Sequence, residues 1–323
     1  MYESFFGLKE KPFGLTPDPK FFYGSSGHKR VLAYLRYGIK QGEGFIVVTG
    51  EVGAGKTTLL GALSEELSGN RDIIAKHLVS TDLGPDDLLR IIAASFELSY
   101  ETIPKSMLLK NIEMYLRRRA SEGKRVVLIV DEVQNMPAHS LEELRMLSNY
   151  QVYNKPLLQS FLIGQSEFRR TIRLKQFEQL RQRIIASYHL GPMNVIETRG
   201  YIEHRLNCVG WKGNPKFTRE AYDAIYDYTA GIPRRINTLC DRVLLAAYLD
   251  EKYEIDEQLI NDVIGELQDE VAGDGQPDQD EQISALSGAA FGSSAKTKDM
   301  TLEQRISRLE NIIQRISEAV SGS

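Results

Sequence analysis

Cysteine is nearly missing from this chain. Its 323 residues include two, Cys208 and Cys240, far apart and outside any C-x-x-C pairing. That fits a reducing compartment in which both thiols are small core residues rather than metal ligands or nucleophiles. Long apolar runs are missing too: no stretch approaches the roughly eighteen uninterrupted apolar residues that a membrane-crossing helix needs. The opening Met1-Tyr2-Glu3-Ser4-Phe5-Phe6 lacks the basic start and apolar core of a secretory leader. The expected location is therefore cytoplasmic, with the inner membrane reached only through partners. An excess of positive charge is also absent. With 40 Lys and Arg against 44 Asp and Glu, the net charge of −4 argues against a protein that coats nucleic acid generally. The length has room for about two domains and a tail.

What is present centres on Gly50-Glu51-Val52-Gly53-Ala54-Gly55-Lys56-Thr57, with Thr58 next. An apolar run, Phe45 to Val48, precedes it and a helical pattern follows, so G-x-x-x-x-G-K-[ST] stands in the strand–loop–helix context that it requires. The glycines let successive backbone N–H groups turn inward and form an anion nest at a helix start. Lys56 then reaches the β- and γ-phosphates, and the Thr57 hydroxyl suits Mg²⁺. The spacing thus predicts a nucleotide-binding protein, with ATP and Mg²⁺ as cofactors.

About seventy-five residues on, Val126-Val127-Leu128-Ile129-Val130 leads into Asp131-Glu132. So apolar a run reads as a strand buried on both faces of a parallel sheet, whose C-terminal end is where such sheets place their chemistry. Asp131 is the candidate metal carboxylate, and Glu132 the candidate base for a water attacking the γ-phosphate. A strand from Leu157 to Ile163 brings Gln165 beside that end, either to orient water or merely to bond backbone. Arg181 and Arg183 precede a short strand around Tyr188-His189-Leu190. An arginine there either stays on the surface or reaches into a neighbouring subunit's site.

The rest reads as punctuation around this core. Residues 1–24 form an aromatic arm broken by Pro12, Pro17 and Pro19, either a strap over the core or a contact to the nucleotide base. A nucleotide-binding α/β domain is expected over 25–192. From Met193 the pattern is helices alone, a lid over 193–268 with Gly231-Ile232-Pro233-Arg234 at one helix start. A polar linker over 269–300 leads to a short heptad seam, Leu302, Ile306, Leu309, Ile313, Ile316 and Val320, within 301–323. That seam is a self-association or partner element.

Taken in order, these motifs resemble the AAA+ ATPases. Together with Tyr2-Glu3-Ser4-Phe5-Phe6-Gly7-Leu8, Lys11-Pro12-Phe13 and Thr16-Pro17-Asp18-Pro19, they resemble the general secretion pathway protein A type. More narrowly, they resemble ATPases encoded with exosortase/PEP-CTERM and exopolysaccharide loci. The resemblance implies an α/β P-loop fold whose five-stranded parallel sheet runs 5-1-4-3-2 beneath an all-helical lid. It implies Lys56 and Thr57 at phosphate and metal, Asp131 on the metal, Glu132 as base and Gln165 as first sensor. Arg234 matches the second sensor, and Arg181 or Arg183 the finger supplied across a ring or helical homo-oligomer. The function expected is Mg²⁺-dependent ATP hydrolysis coupled to a protein assembly in envelope secretion, exopolysaccharide export or protein sorting. Membrane-associated partners would be reached through the C-terminal helix. The alternative is a nucleic-acid-associated switch of transposition or loader type, for which Arg117-Arg118-Arg119 and Arg169-Arg170 are the candidate contacts.

Overall fold

β1 (Phe45–Gly50) is apolar at nearly every position because it is covered on both sides. Phe45 and Val47 enter one core while Ile46 and Val48 enter another, the period of two that a strand imposes. The same alternation recurs in the other central strands and divides the apolar residues into two layers around a single sheet. The computed structural model describes residues 1–79 and 83–273.

Before β1 lie a short helix α1 (Tyr2–Phe6), a single 3-10 turn (Pro19–Phe21) and helix α2 (Ser26–Gln41), the last capped by the Ser25 side chain. After it come α3 (Lys56–Ser68), β2 (Ile73–Val79), α4 (Pro85–Ser95), α5 (Lys105–Ser121) and β3 (Arg125–Asp131). α6 (Ala138–Leu147) is followed by a two-residue hairpin, β4 (Gln151–Val152) with β5 (Lys155–Pro156), and then β6 (Leu158–Gly164). Two short helices, α7 (Phe168–Thr171) and α8 (Glu178–Arg181), lead into β7 (Ile184–Leu190).

The five long strands pair in parallel in the order β2-β3-β6-β1-β7. Renumbered one to five and read from the other edge, this is the expected 5-1-4-3-2 order. α4, α5 and α6 cover one face with Leu88, Ile92, Leu108, Ile112, Leu116, Leu141 and Leu144. α2 and α3 cover the other with Val31, Leu35, Leu59, Leu60 and Leu63. Each such side chain contributes roughly 1.5–3 kcal/mol by leaving water. Because every long strand points the same way, the phosphate loop, Asp131, Gln165 and His189 all emerge at one rim.

Beyond β7 the chain forms α9 (Val195–Cys208), β8 (Lys216–Phe217), α10 (Arg219–Thr229), α11 (Pro233–Leu249), β9 (Glu254–Ile255) and α12 (Glu257–Gly273). Here two expectations are corrected. The region is not helices alone, since β8 and β9 pair in parallel over two residues each. Helix α12 runs to Gly273, so the first residues of the linker expected from 269 are helical. The remainder of that linker and the heptad seam lie outside the described residues. Met1–Ile264 form one compact unit, and a second begins at Gly265.

The arm is a strap. Phe6, Phe13 and Phe21 are buried, and a buried arginine of α9 holds the chain down. Arg205 Nε donates to the Pro12 carbonyl at 2.6 Å, and its guanidinium lies 4.6 Å from the Phe21 ring centre. Tyr2 hydroxyl bonds Asp241 of α11. A Cβ on Gly61 of α3 would stand 3.1 Å from Pro19, so the strap also lies against the helix that follows the phosphate loop.

Candidate active site

The phosphate loop takes its shape from glycine. Gly53 and Gly55 have φ of +81° and +90°, values that L side chains rarely adopt. A Cβ on Gly53 would come within 2.5 Å of Arg234 Cβ, and one on Gly55 within 3.0 Å of His28 Nε2. His28 is the buried floor of the loop. Its Nδ1 lies 2.7 Å from Ser25 Oγ, and burial holds its pKa below the usual imidazole range against a backbone hydrogen bond with Ala54.

Lys56 is buried, its ammonium donating to the carbonyls of Gly50 and Glu51 at 2.9 Å each. Burial lowers its pKa, while Glu132 and Asp131 act in the opposite sense. The cation is thus placed between its own loop and the two carboxylates at the end of β3. Asp131 is buried at 3% exposure. Its Oδ1 accepts the Glu132 N–H at 2.9 Å and its Oδ2 lies 3.9 Å from His77 Nε2. Burial raises the Asp131 pKa, opposed first by the Glu132 N–H hydrogen bond and then by His77 and Lys56, while the Glu132 charge adds to the rise. Desolvation of this kind makes a carboxylate receptive to a cation.

Glu132 adopts a left-handed backbone, φ +56°, a conformation that concentrates at functional sites in non-glycine residues. Gln165 meets it: Nε2 donates to Glu132 Oε2 at 3.3 Å. Between them lies a residue that sequence reasoning missed. The Gln134 side chain donates to the same Oε2 and accepts the Gln165 N–H at 2.9 Å. Its one sequence signal was an amide two residues beyond Glu132.

Arg234, at the start of α11, is brought to the loop by its main chain. Its N–H donates to the Gly53 carbonyl at 3.1 Å, and its side chain is exposed. Thr57 and Thr58 open α3, with Thr57 exposed; Glu51 and Val52 are exposed, and Ala54 is buried. Arg181 and Arg183 are not part of this cluster. Arg181 donates to the carbonyls of Ile172 and Leu174 at 3.0 Å each. Arg183 donates to the Ser148 carbonyl at 3.3 Å and to Asn149. The Arg183 carbonyl accepts from Phe45 N–H, at the start of β1. It therefore sits at the opposite rim, roughly 16–20 Å away by strand rise.

The donor set fits magnesium. Asp131 offers a desolvated carboxylate whose Oδ2 takes no hydrogen bond among the described residues, and Thr57 is exposed at the helix start. Among the described residues no cluster of three or more His, Cys, Asp or Glu could hold a metal. Magnesium bound by one carboxylate together with nucleotide phosphates does not require one.

Residues 39–172 match the family model described as AAA domain. The chain is similar to General secretion pathway protein A of Aeromonas hydrophila, 40% identical over 256 residues, which is 79% of this chain and 46% of that protein. It thus spans less than half the length of the curated relative that it matches. Among solved structures, the Aeropyrum pernix ORC1 protein in complex with DNA superposes with a TM-score of 0.57 at 14% identity, over 80% of this chain and 69% of that one. The Thermotoga maritima RuvB Holliday junction branch migration motor superposes at 0.51 and 18%, over 79% and 73%. At these identities the structural likeness establishes the fold: a P-loop AAA+ fold with a parallel five-stranded sheet.

Proposed function

We propose that this chain, built on the P-loop AAA+ fold, is a magnesium-dependent ATPase that acts as a homo-oligomer on a protein assembly in secretion. The observation that carries the reading is the convergence of the Lys56 ammonium, Asp131, Glu132 and Gln165 at one sheet rim, with Arg234 seated on the phosphate loop. Lys56 now spends its donors on loop carbonyls, and a triphosphate would offer it stronger, charged acceptors. The inward N–H groups of residues 50–57 would bind the same phosphates. Glu132 would take the proton of the attacking water, with Gln165 beside it to fix the water's position. Asp131 and Thr57 would hold Mg²⁺, which when bound offsets the charge of the phosphates. Arg234 would reach the γ-phosphate from the lid.

Arg181 or Arg183 would complete the site of an adjacent copy, since each is at the wrong rim for its own. The arm, α/β domain and lid would then be working parts over 1–24, 25–192 and 193–268. The similarity to General secretion pathway protein A supports a role in secretion. The finer assignment, to export or sorting machinery of the exosortase/PEP-CTERM and exopolysaccharide kind, rests on the opening sequence motifs. Membrane-associated partners engaged through residues 301–323 belong to the same proposal. The nucleic-acid reading has less support. Arg117 pairs with Glu113, and Arg118 and Arg119 with Glu122, as solvated helix ends do.

The test is steady-state hydrolysis and direct nucleotide binding by the full chain. Lys56→Ala should lose ATP affinity. Glu132→Gln should bind ATP with Mg²⁺ as well as the wild type and lose turnover by about a hundredfold to ten-thousandfold. Undiminished hydrolysis by the Glu132 variant would remove the base from this scheme.

A further inference from the structure

We propose that Gln134 is a positioning residue for the hydrolytic base, a side-chain bridge that fixes Glu132 to the end of β6. The proposal rests on the ATPase reading above and extends it to a residue outside the phosphate loop and the sensors.

The geometry is specific. The Gln134 amide has two ends, and each meets a different strand end. Its oxygen accepts the main-chain N–H of Gln165 at 2.9 Å, a donor held in place by β6. Its nitrogen donates to Glu132 Oε2. Because an amide is planar, fixing the oxygen fixes the direction of the nitrogen, and so fixes the carboxylate that accepts from it. The Gln165 side chain adds a second donor to the same oxygen at 3.3 Å. Oε2 is thus spoken for, while Oε1 accepts no hydrogen bond among the described residues. One carboxylate oxygen is held, and the other is left for water.

Two further features show that the strand end is built around this bridge. A Cβ on Gly164 would stand 2.9 Å from Gln134 Oε1 and 2.8 Å from the Val133 side chain, so the last residue of β6 is bare where the amide passes. Glu132 itself takes its left-handed φ of +56° with its N–H spent on Asp131. The turn from β3 leaves the Glu132 carboxylate within reach of the Gln134 amide. A base held in one orientation gains effective concentration toward its water. A base free to rotate forfeits much of that.

The experiment compares wild type, Gln134→Ala and Gln134→Glu as full chains with Mg²⁺-ATP. It measures kcat and KM by steady-state turnover, nucleotide affinity by direct binding, and thermal unfolding. Gln134→Glu is the sharper variant, being nearly isosteric. It keeps an acceptor for the Gln165 N–H but presents an anion, not a donor, to Glu132. Both variants should lose about tenfold to a hundredfold in kcat, Gln134→Glu at least as much as Gln134→Ala. KM, nucleotide affinity and unfolding temperature should stay close to wild type. Wild-type kcat in either variant overturns the proposal. So does a parallel loss of nucleotide affinity and thermal stability in both, which would make the bridge structural only. A wild-type chain that binds but never hydrolyses ATP refutes the ATPase reading first, a result that no Gln134 variant can produce.

Discussion

The two rims of the sheet carry cations in opposite conditions. At the upper rim, Lys56 is buried and bonded to two carbonyls of its own loop, close to the Asp131 and Glu132 carboxylates. At the lower rim, Arg181 and Arg183 are only partly covered and rest on loop carbonyls and on Asn149. On the proposed reading, the first rim would hold nucleotide within a single chain, and the second would serve the site of a neighbouring copy. A parallel sheet separates them by its own length, which is how a repeating assembly would present an arginine to each neighbour's phosphates.

The largest effect that could break this comparison comes from the lower rim. Alanine at Arg181 or at Arg183 should, for one of the two, lower turnover by about a hundredfold or more while nucleotide binding holds. Mixing that variant with Glu132→Gln protein should restore part of the activity, because some interfaces then join an intact arginine to an intact base. Mixtures that stay dead, or two arginine variants at full rate, would reduce the lower rim to scaffolding.

A smaller effect should come from the turn that leads into α11. Gly231 has φ +70°, and a Cβ there would collide with the Met193 carbonyl. Gly231→Ala should cost about 2–4 kcal/mol of stability, from backbone strain and overlap together, read as a lower unfolding temperature in calorimetry. Unchanged unfolding would mean that the lid reaches the loop without depending on this turn.

The smallest effect is a pH dependence. Burial depresses the His28 pKa below the ordinary imidazole value of about 6.5, so the unfolded chain binds the proton more readily than the folded one. Stability from this group is therefore full above about pH 6.5 and declines as pH falls below it towards the folded pKa. Since His189 and His204 are also depressed by burial, the measurement is a difference. Between about pH 7.5 and 5.5 the wild type should lose more stability than His28→Gln, by less than about 1.5 kcal/mol. Equal losses would show that the floor of the loop is indifferent to its histidine.

Where sequence reasoning succeeded and where it stopped have the same physical cause. The phosphate loop, the β3 end and the strand order follow from patterns that are local or repeated: glycines at fixed offsets, apolar runs long enough to bury both faces, helices with a three-to-four period. Gln165 was placed correctly beside Glu132 because a parallel sheet aligns its strand ends. Gln134 escaped because its role is a contact between two loops, with no periodicity to announce it. His28 escaped as the floor of the loop for the same reason, and Arg205 as the clasp on the arm. β8 and β9 are two residues each, too short for alternation to register. The expected linker began too early, since Asp269 and Glu270 look like linker by composition yet continue the helix.

Helix α11 begins on the phosphate loop itself, its Arg234 N–H hydrogen-bonded to the Gly53 carbonyl. The first turn of a helix normally leaves such a donor to solvent or a cap. Spending it here makes the lid's root and the cradle's crown a single joint. Any swing that parts them gives up that bond, about 1 kcal/mol. On the proposed reading, departure of spent nucleotide and slackening of the cradle would then be one event.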